Sequence, residues 1–249
     1  MFKKIWIAVG YKMNPKSKVK MTKSSQESLA ATTYNQLKNR ILGLIYPPGE
    51  NLLEEQLRAQ LNVSRTPIRM ALSKLEQEGL VTHRPGRGYY IRGIRVDEVS
   101  SLFQMREFLE VPATRLATKN ATDQELEDFR TFVRKMDDSI AAKNYDTYLD
   151  LAVEFHYRIA LLTKNEILCE TVRGLNEKLV MVSRILLKSE SKMASSNVEH
   201  NQIMEQMLKR DAEKAARFAQ QHVNDSAKRQ LQLLQSKAEL LTITLPRNS

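Results

Sequence analysis

The stretch from Thr33 to Arg92 constrains the fold more than any other part of the chain. Tyr34, Leu37, Ile41, Leu44 and Ile45 recur at helical spacing, so Thr33 to Ile45 reads as an amphipathic helix. Tyr46-Pro47-Pro48-Gly49 stops it, because proline cannot continue a helix and glycine admits a sharp turn. Leu53 to Gln60 is a short second helix, and Leu61-Asn62-Val63 is a tight turn. Ser64 then stands at the N-cap of a third helix, where its hydroxyl is expected to accept free N–H groups of the first turn. Pro67 lies within that turn, where its missing N–H costs nothing. Ile68, Ala71, Leu72 and Leu75 form the buried stripe, and Gly79 supplies a left-handed stop. Leu80 to His83 and Gly88 to Arg92 flank Arg84-Pro85-Gly86-Arg87 and read as a β-hairpin. Helix, helix, turn, helix, hairpin is the order of a winged helix-turn-helix, here over 29–95 with the helix-turn-helix at about 54–73.

From Asp97 onward the periodicity is helical throughout. The spacing predicts helices at 97–118, 123–141, 144–162, 166–188, 196–209 and 211–236. Thr122 with Glu125 is a capping box, and Asp211 is a good N-cap. Pro112 lies inside the first of these helices and should kink it. Only 8 Gly and 7 Pro in 249 residues also argue for helices over a sandwich or barrel. The expected fold is mainly α: a winged helix-turn-helix followed by an all-helical bundle of six helices over 97–238. Residues 1–28 are rich in Lys and Ser without periodicity, and read as a disordered basic tail in which Met13 and Met21 offer alternative starts. The single cysteine, Cys169, excludes a disulfide framework and reads as a small buried hydrophobe. No run is long enough to span a membrane, and the apolar run Ile5 to Val9 is too short for a signal-peptide core. The expected location is cytoplasmic, on the nucleoid, with no membrane partner.

The charge is unevenly divided. Residues 1–96 carry 17 Lys and Arg against 6 Asp and Glu, whereas 97–249 carry 22 against 23. The entire positive excess therefore belongs to the first two-fifths, which points to a polyanion as its partner. Ser64, Arg65, Thr66 and Arg69 occupy the start of the third helix, the end that enters a major groove in this architecture. Arg65 and Arg69 are four apart and project from one face; a guanidinium fork can pair with guanine O6 and N7 or clamp a phosphate. Ser64, Thr66 and the helix N-terminus suit phosphate oxygens. Arg84 and Arg87 at the hairpin tip can enter the adjacent minor groove or hold the backbone, with Gly86 allowing close approach. Any one of these arginines alone would read as a solvated surface side chain; their convergence favours double-stranded DNA.

Three of the four histidines lie in the second half. His156 shares a helical stripe with Tyr145, Tyr148, Leu149, Ala152, Ile159 and Ala160. His200 shares one with Ile203, Met204, Met207 and Leu208, and His222 one with Ala215, Phe218, Ala219 and Val223. Three inward histidines on three helices can converge in the bundle core, where imidazole nitrogens suit Zn, Ni, Fe or Cu and leave a position open for a small-molecule oxygen. The alternative is three unrelated buried histidines, as His is commonly intermediate in burial.

Over residues 30–95, Ile45-Tyr46-Pro47-Pro48-Gly49-Glu50, Leu53-Glu54-Glu55-Gln56-Leu57, Leu61 to Arg69 and Leu75-Glu76-Gln77-Glu78-Gly79-Leu80-Val81 together resemble the GntR family of bacterial regulators. That resemblance implies operator contacts from Arg65, Thr66, Arg69 and the Gly86 region of the wing, while Glu55 is acidic at a place where some members carry a basic residue. Residues 97–236 resemble the all-helical FCD ligand-binding domain of the FadR-type branch, through Met105-Arg106 with Glu110, Glu154-Phe155-His156, Thr163-Lys164-Asn165, Glu199-His200 and Ala215 to His222. Members of that domain often hold a divalent metal with three histidines, matching His156, His200 and His222, and one aspartate, whose place is taken here by Ala152. Asp150 and Glu154 stand at the wrong helical angle to replace it. The resemblance also suggests that Arg106 reaches an effector pocket, where a carboxylate would suit it; on spacing alone, Arg106 and Glu110 read as an exposed ion pair.

The expected function is therefore that of a dimeric, sequence-specific transcription regulator, more often a repressor in this family. A small organic acid bound by Arg106, His156, His200 and His222, with one Zn- or Ni-like ion on the three histidines, would control it. Two other classes fit parts of the sequence. A metal-dependent enzyme using the three histidines lacks an evident general base and leaves the basic module unexplained. An effector-independent DNA-binding dimer would use its helical half for dimerisation only.

Overall fold

The computed structural model describes residues 23–93, 95–186 and 190–244. The N-terminal half consists of α1 (Lys23–Leu42), β1 (Asn51–Leu52), α2 (Glu54–Leu61), α3 (Arg65–Gln77), β2 (Val81–Arg84) and β3 (Gly88–Ile91). The bundle follows as α4 (Val96–Asn120), α5 (Asp123–Ala141), α6 (Tyr145–Leu162), α7 (Glu166–Leu186), α8 (Glu190–Leu208) and α9 (Ala212–Thr244). A winged helix-turn-helix precedes a helical bundle, as the periodicities require.

The core of the first half is built where the sequence places it. Tyr34, Leu37 and Ile41 of α1 meet Ile68, Ala71, Leu72 and Leu75 of α3, and Leu57 and Ile91 close the cluster. Asn62 after α2 and Gly79 after α3 adopt positive φ, the left-handed conformation that ends each helix. The hairpin pairs Val81 with Ile91 and Arg84 with Gly88, and Gly86 at its tip has φ 72°. A third strand accompanies it: Asn51 and Leu52 pair with Tyr90 and Tyr89, giving the order β1-β3-β2. Two residues are too few to show alternation, so this strand left no periodic signal.

Several boundaries move. Residues 1–22 of the expected tail lie outside the described residues, but α1 already begins at Lys23, so 23–28 are helical rather than disordered. Ala30 and Thr33 extend its buried stripe toward the N-terminus, and Thr33 Oγ1 donates to the Leu29 carbonyl at 2.8 Å. Ala30, in the added turns, has a small side chain that gives little apolar signal. The same helix stops at Leu42 instead of Ile45, with Leu44 at φ 58° and the Ile45 N–H donating to the Arg40 carbonyl. Ser64 has the extended backbone of an N-cap, yet its side chain makes no capping bond and stays exposed. The Ser-rich segment expected as a break is the start of α8, which buries Met193, Asn197, His200, Ile203, Met204 and Met207. Helix α4 runs through Pro112 without interruption. The carbonyl that loses its donor there belongs to Phe108, which is 70% exposed and can turn to water instead. The capping box at Thr122 and Glu125 is formed, and Asp211 Oδ1 accepts from the Lys214 N–H at 2.9 Å.

The bundle core is dominated by Leu126, Phe129, Phe132, Val133, Met136, Phe155, Ile159 and Met207. Helices α4, α7 and α9 share a second cluster of Val99, Phe103, Leu175, Leu179, Val182, Val223 and Leu234. These clusters leave polar residues of α4, α6, α8 and α9 facing one another between them. Among the described residues, no helix is long and apolar enough to cross a membrane.

Leu72 is fully buried between α1 and α3. Leu72→Ala should therefore lower the stability of the N-terminal half by ~2–5 kcal/mol, read as a reduced urea midpoint followed by far-UV circular dichroism.

Candidate functional site

His156 on α6, His200 on α8 and His222 on α9 meet in the bundle core. Their ring centroids lie 5.2, 5.2 and 4.4 Å apart, and each offers a nitrogen within 4.8 Å of the others. All three are buried. They border a cavity of about 50 Å³, room for a few water-sized groups, whose wall also includes Arg106, Tyr148, Ala152, Asn176, Leu179 and Gln230.

Arg106 and Glu110 are not the exposed pair that their spacing suggested. They are 5% and 4% exposed, and the guanidinium donates twice, from Nε and from an Nη, to the Glu110 carboxylate at 2.8 and 3.0 Å. The reason lies in α4: Arg106 and Glu110 share the face that carries Phe103, Ala113 and Ala117 into the bundle. Arg106 also stands 2.8 Å from His156 Nε2, while His156 Nδ1 is 3.1 Å from Glu110. A guanidinium can only donate and a carboxylate only accept, so the His156 proton resides on Nδ1 and the Nε2 lone pair faces Arg106. The same logic fixes His222. Its Nδ1 donates to Glu199 at 2.7 Å, and Glu199 is gripped in turn by Arg229 at 2.6 and 2.7 Å. The His222 Nε2 lone pair is left pointing inward.

The electrostatics keep the imidazoles neutral. Burial pushes His156 down to about 4, against the pull of Glu110. Burial likewise holds His200 well below its ordinary value and lowers His222. Burial opposes ionisation of Glu110, but Arg106 and His156 outweigh it and hold the carboxyl well below the usual range. In Glu199, burial is again outweighed, by His222 and Arg229, and the carboxyl falls to about 2.

These donors fit a divalent transition metal. Among the described residues, both His200 nitrogens and His222 Nε2 are buried with no hydrogen-bond partner. Glu110 and Glu199 behind His156 and His222 are the kind of carboxylate that orients a ligating imidazole. His156 would join when Arg106 turns away from its Nε2. Ala152 lines the cavity without offering a ligand. A metal held there would act as a Lewis acid that orients an anionic oxygen.

The residues expected to face DNA are exposed, with one exception. Ser64, Arg65, Thr66 and Arg69 are exposed at the start of α3, and Gly86 and Arg87 are exposed at the hairpin tip. Arg84 is different: it is half-buried, with its guanidinium carbon 4.4 Å from the Tyr90 ring centroid. Arg65 pairs with Glu55, and Arg69 Nε lies 3.5 Å from Glu54. An added Cβ at Gly86 would meet nothing within 4 Å.

Sequence reasoning overlooked Tyr148, Asn176, Gln230, Glu199 and Arg229 as parts of the cavity or its support. Tyr148 lies two helical turns before His156, so the stripe contained it; no chemical signature set it apart from core. Its hydroxyl and Gln230 Oε1 are buried without partners among the described residues.

Stability should decline on acidification. The unfolded chain protonates its histidines as pH falls through about 6.5, whereas the folded imidazoles resist protonation down to about 4 for His156. The unfolded state then binds more protons, so the urea midpoint should drop from pH 7 to pH 4.5. A midpoint that rises over that interval would contradict the buried neutral triad. Separately, Glu110→Ala should cost ~3–5 kcal/mol by leaving the Arg106 charge unpaired, measured by the same denaturation.

Comparison with known proteins places this geometry in a family. Residues 29–91 match the gntR family of bacterial regulatory proteins, and residues 101–225 match the FCD domain. The chain is 35% identical over 178 residues to the Nta operon transcriptional regulator of Aminobacter aminovorans, covering 72% of this chain and 83% of that protein. It is 24% identical over 206 residues to the transcriptional repressor RspR of Escherichia coli, covering 83% and 90%. A GntR transcriptional regulator of Rhodococcus sp. RHA1 shares the fold, with a TM-score of 0.74 at 19% identity over 82% of this chain and 98% of that one. The families and relatives are regulators rather than enzymes. With a winged helix-turn-helix joined to an FCD bundle, the chain belongs to the GntR family of bacterial transcription regulators, in its FadR-type branch.

Proposed function

We propose that this regulator is a homodimeric repressor whose operator affinity is set by a small organic acid bound at the three-histidine cavity, together with one Zn- or Ni-like ion. The observation that carries this reading is a cavity faced at once by a buried guanidinium and by buried imidazole nitrogens that have no other partner. Apolar packing alone would not retain such a set, since each unpaired buried polar atom costs ~1–3 kcal/mol. A carboxylate answers Arg106, and its second oxygen can complete the metal where Ala152 offers nothing. Arg106, His156, His200 and His222 are the effector ligands in this reading, and the three histidines the metal ligands.

The DNA contacts are assigned to Ser64, Arg65, Thr66 and Arg69 at the start of α3, and to Arg84, Gly86 and Arg87 at the wing. Dimerisation is assigned to α4. Met105, Phe108, Pro112 and Leu116 recur at 3, 4 and 4 residues along one exposed face, away from the face holding Arg106 and Glu110. A two-fold pair would bury that stripe and present two recognition helices to a palindromic site. Repression has its support in RspR, which is named a repressor. Control requires that the acid bind the DNA-competent and DNA-released states with different affinity. The cytoplasm is the natural location for such a protein.

Thermal-shift titration with small carboxylates, with and without Zn²⁺ or Ni²⁺, tests the cavity. The melting temperature should rise with ligand concentration in the wild type and stay flat in Arg106→Met. No concentration-dependent stabilisation by any acid, with either metal or none, would refute the assignment. On the DNA side, Arg69→Ala should weaken specific binding by ~1–3 kcal/mol if Arg69 reads a base; equal operator affinities by fluorescence anisotropy would exclude that contact.

A further inference from the structure

Lys38 of α1 stands where the two halves of the molecule touch, and its side chain is only 12% exposed. The ammonium donates to Glu177 of α7 at 2.7 Å and to Tyr34 Oη at 2.8 Å, and lies 2.9 Å from a carboxylate oxygen of Glu78. Tyr34 donates in turn to the other Glu78 oxygen at 2.5 Å. Burial opposes the charge on Lys38, but the bonds to Glu177, Tyr34 and Glu78 outweigh it and hold the ammonium above its ordinary range.

Glu78 caps the C-terminus of α3, the helix whose other end carries Arg65 and Arg69. It directly precedes Gly79, the left-handed residue from which the chain enters the wing. Glu177 occupies a comparable position on the other side. Its neighbours Asn176 and Leu179 line the histidine cavity, and Ser183 lines it one turn further on. One helix therefore presents one face to the cavity and a carboxylate to the DNA-binding half. Lys38 is largely shielded while both carboxylates reach solvent, so the short contacts to its ammonium depend on where each carboxylate is held. Two carboxylates on opposite halves share a single ammonium, so a shift of α7 changes the hold on the end of α3.

We propose that Lys38 is the positioning residue through which α7 and the recognition helix sense each other. Anything that repacks Asn176, Leu179 or Ser183 displaces Glu177, and Lys38 passes the displacement to Glu78. The direction is reversible, as linkage requires: DNA seated on α3 alters α7 through the same three groups. This assignment rests on the cavity reading for its physiological meaning, but its test does not, because DNA can serve as the probe.

Hydrogen exchange of residues 172–184 is compared with and without a duplex that the full-length protein has selected from a random pool. The peptide 123–141 of α5 serves as the internal reference for overall stabilisation. In the wild type, saturating duplex should slow exchange in 172–184 by about tenfold relative to α5. In Lys38→Met and in Glu177→Gln that difference should vanish although duplex still binds. Glu177→Gln lies outside the DNA-binding half and decides the matter should Lys38→Met weaken DNA binding itself. A wild-type α7 indifferent to duplex, or a response retained in Glu177→Gln, overturns the proposal. Failure of carboxylates to stabilise the protein would count against the cavity assignment alone.

Discussion

A guanidinium taken out of water has to be compensated where it lies, and in this bundle that requirement falls on Arg106. The effective penalty for burying such an ion is several kcal/mol, recovered only with good geometry and satisfied hydrogen bonds. Glu110, one turn along α4, supplies both: two charge-assisted bonds in fork geometry. The consequence spreads to α6. With Glu110 ionised and Arg106 able only to donate, His156 has one permitted tautomer, and its ring orientation follows. The pair Glu199 and Arg229 does the same for His222 from the opposite wall. Two ion pairs thus aim two imidazoles, and His200 is left between them with neither nitrogen used.

This arrangement keeps the site chemically active although Ala152 stands where the family resemblance implies an aspartate. An aspartate there would add a negative ligand and neutralise part of a metal's charge. Without it, the cavity wall carries Arg106 and three neutral imidazoles, and its nearest carboxylates are already committed to histidines and arginines. A cation entering alone finds no uncommitted negative ligand; an anion entering alone meets inward lone pairs. The two together satisfy both, which is why the proposed effector is an acid and the proposed metal accompanies it.

The legibility of the molecule in its sequence follows the strength of local signals. Helix and hairpin order over Thr33 to Arg92 was readable because Pro47-Pro48-Gly49, Gly79 and Pro85-Gly86 punctuate it, and each does the job its chemistry allows. Element ends were less readable where buried residues are small or polar. The small side chain of Ala30 hid the start of α1, and a serine-rich run hid the start of α8. The convergence of the three histidines was visible as three inward stripes, although their spacing in three dimensions was not. The burial of Arg106 and Glu110 ran against spacing and was signalled only by the resemblance, which placed Arg106 at a pocket. A charged pair one turn apart on a helix is usually solvated, and only the packing of α4 beneath α6 and α9 reverses that prior. Glu199 and Arg229 could not be found from spacing at all, since they stand thirty residues apart on two different helices.

The same contrast between buried and exposed ion pairs bears on the DNA-facing side. Arg65 faces Glu55 and Arg69 faces Glu54, but all of these pairs lie in solvent or near it. Exposed pairs are worth at most ~1 kcal/mol and are screened by salt, so phosphates or base edges displace them at little cost. Their effect is subtractive. Two carboxylates beside the recognition arginines lower the local positive potential, and with it the sequence-independent attraction that phosphates supply. A base contact made by a guanidinium fork depends on geometry more than on that long-range field. If Arg65 and Arg69 make the proposed DNA contacts, an acidic residue at Glu55 would weaken non-specific binding more than specific binding, and so raise the ratio between them on which a regulator searching a genome depends.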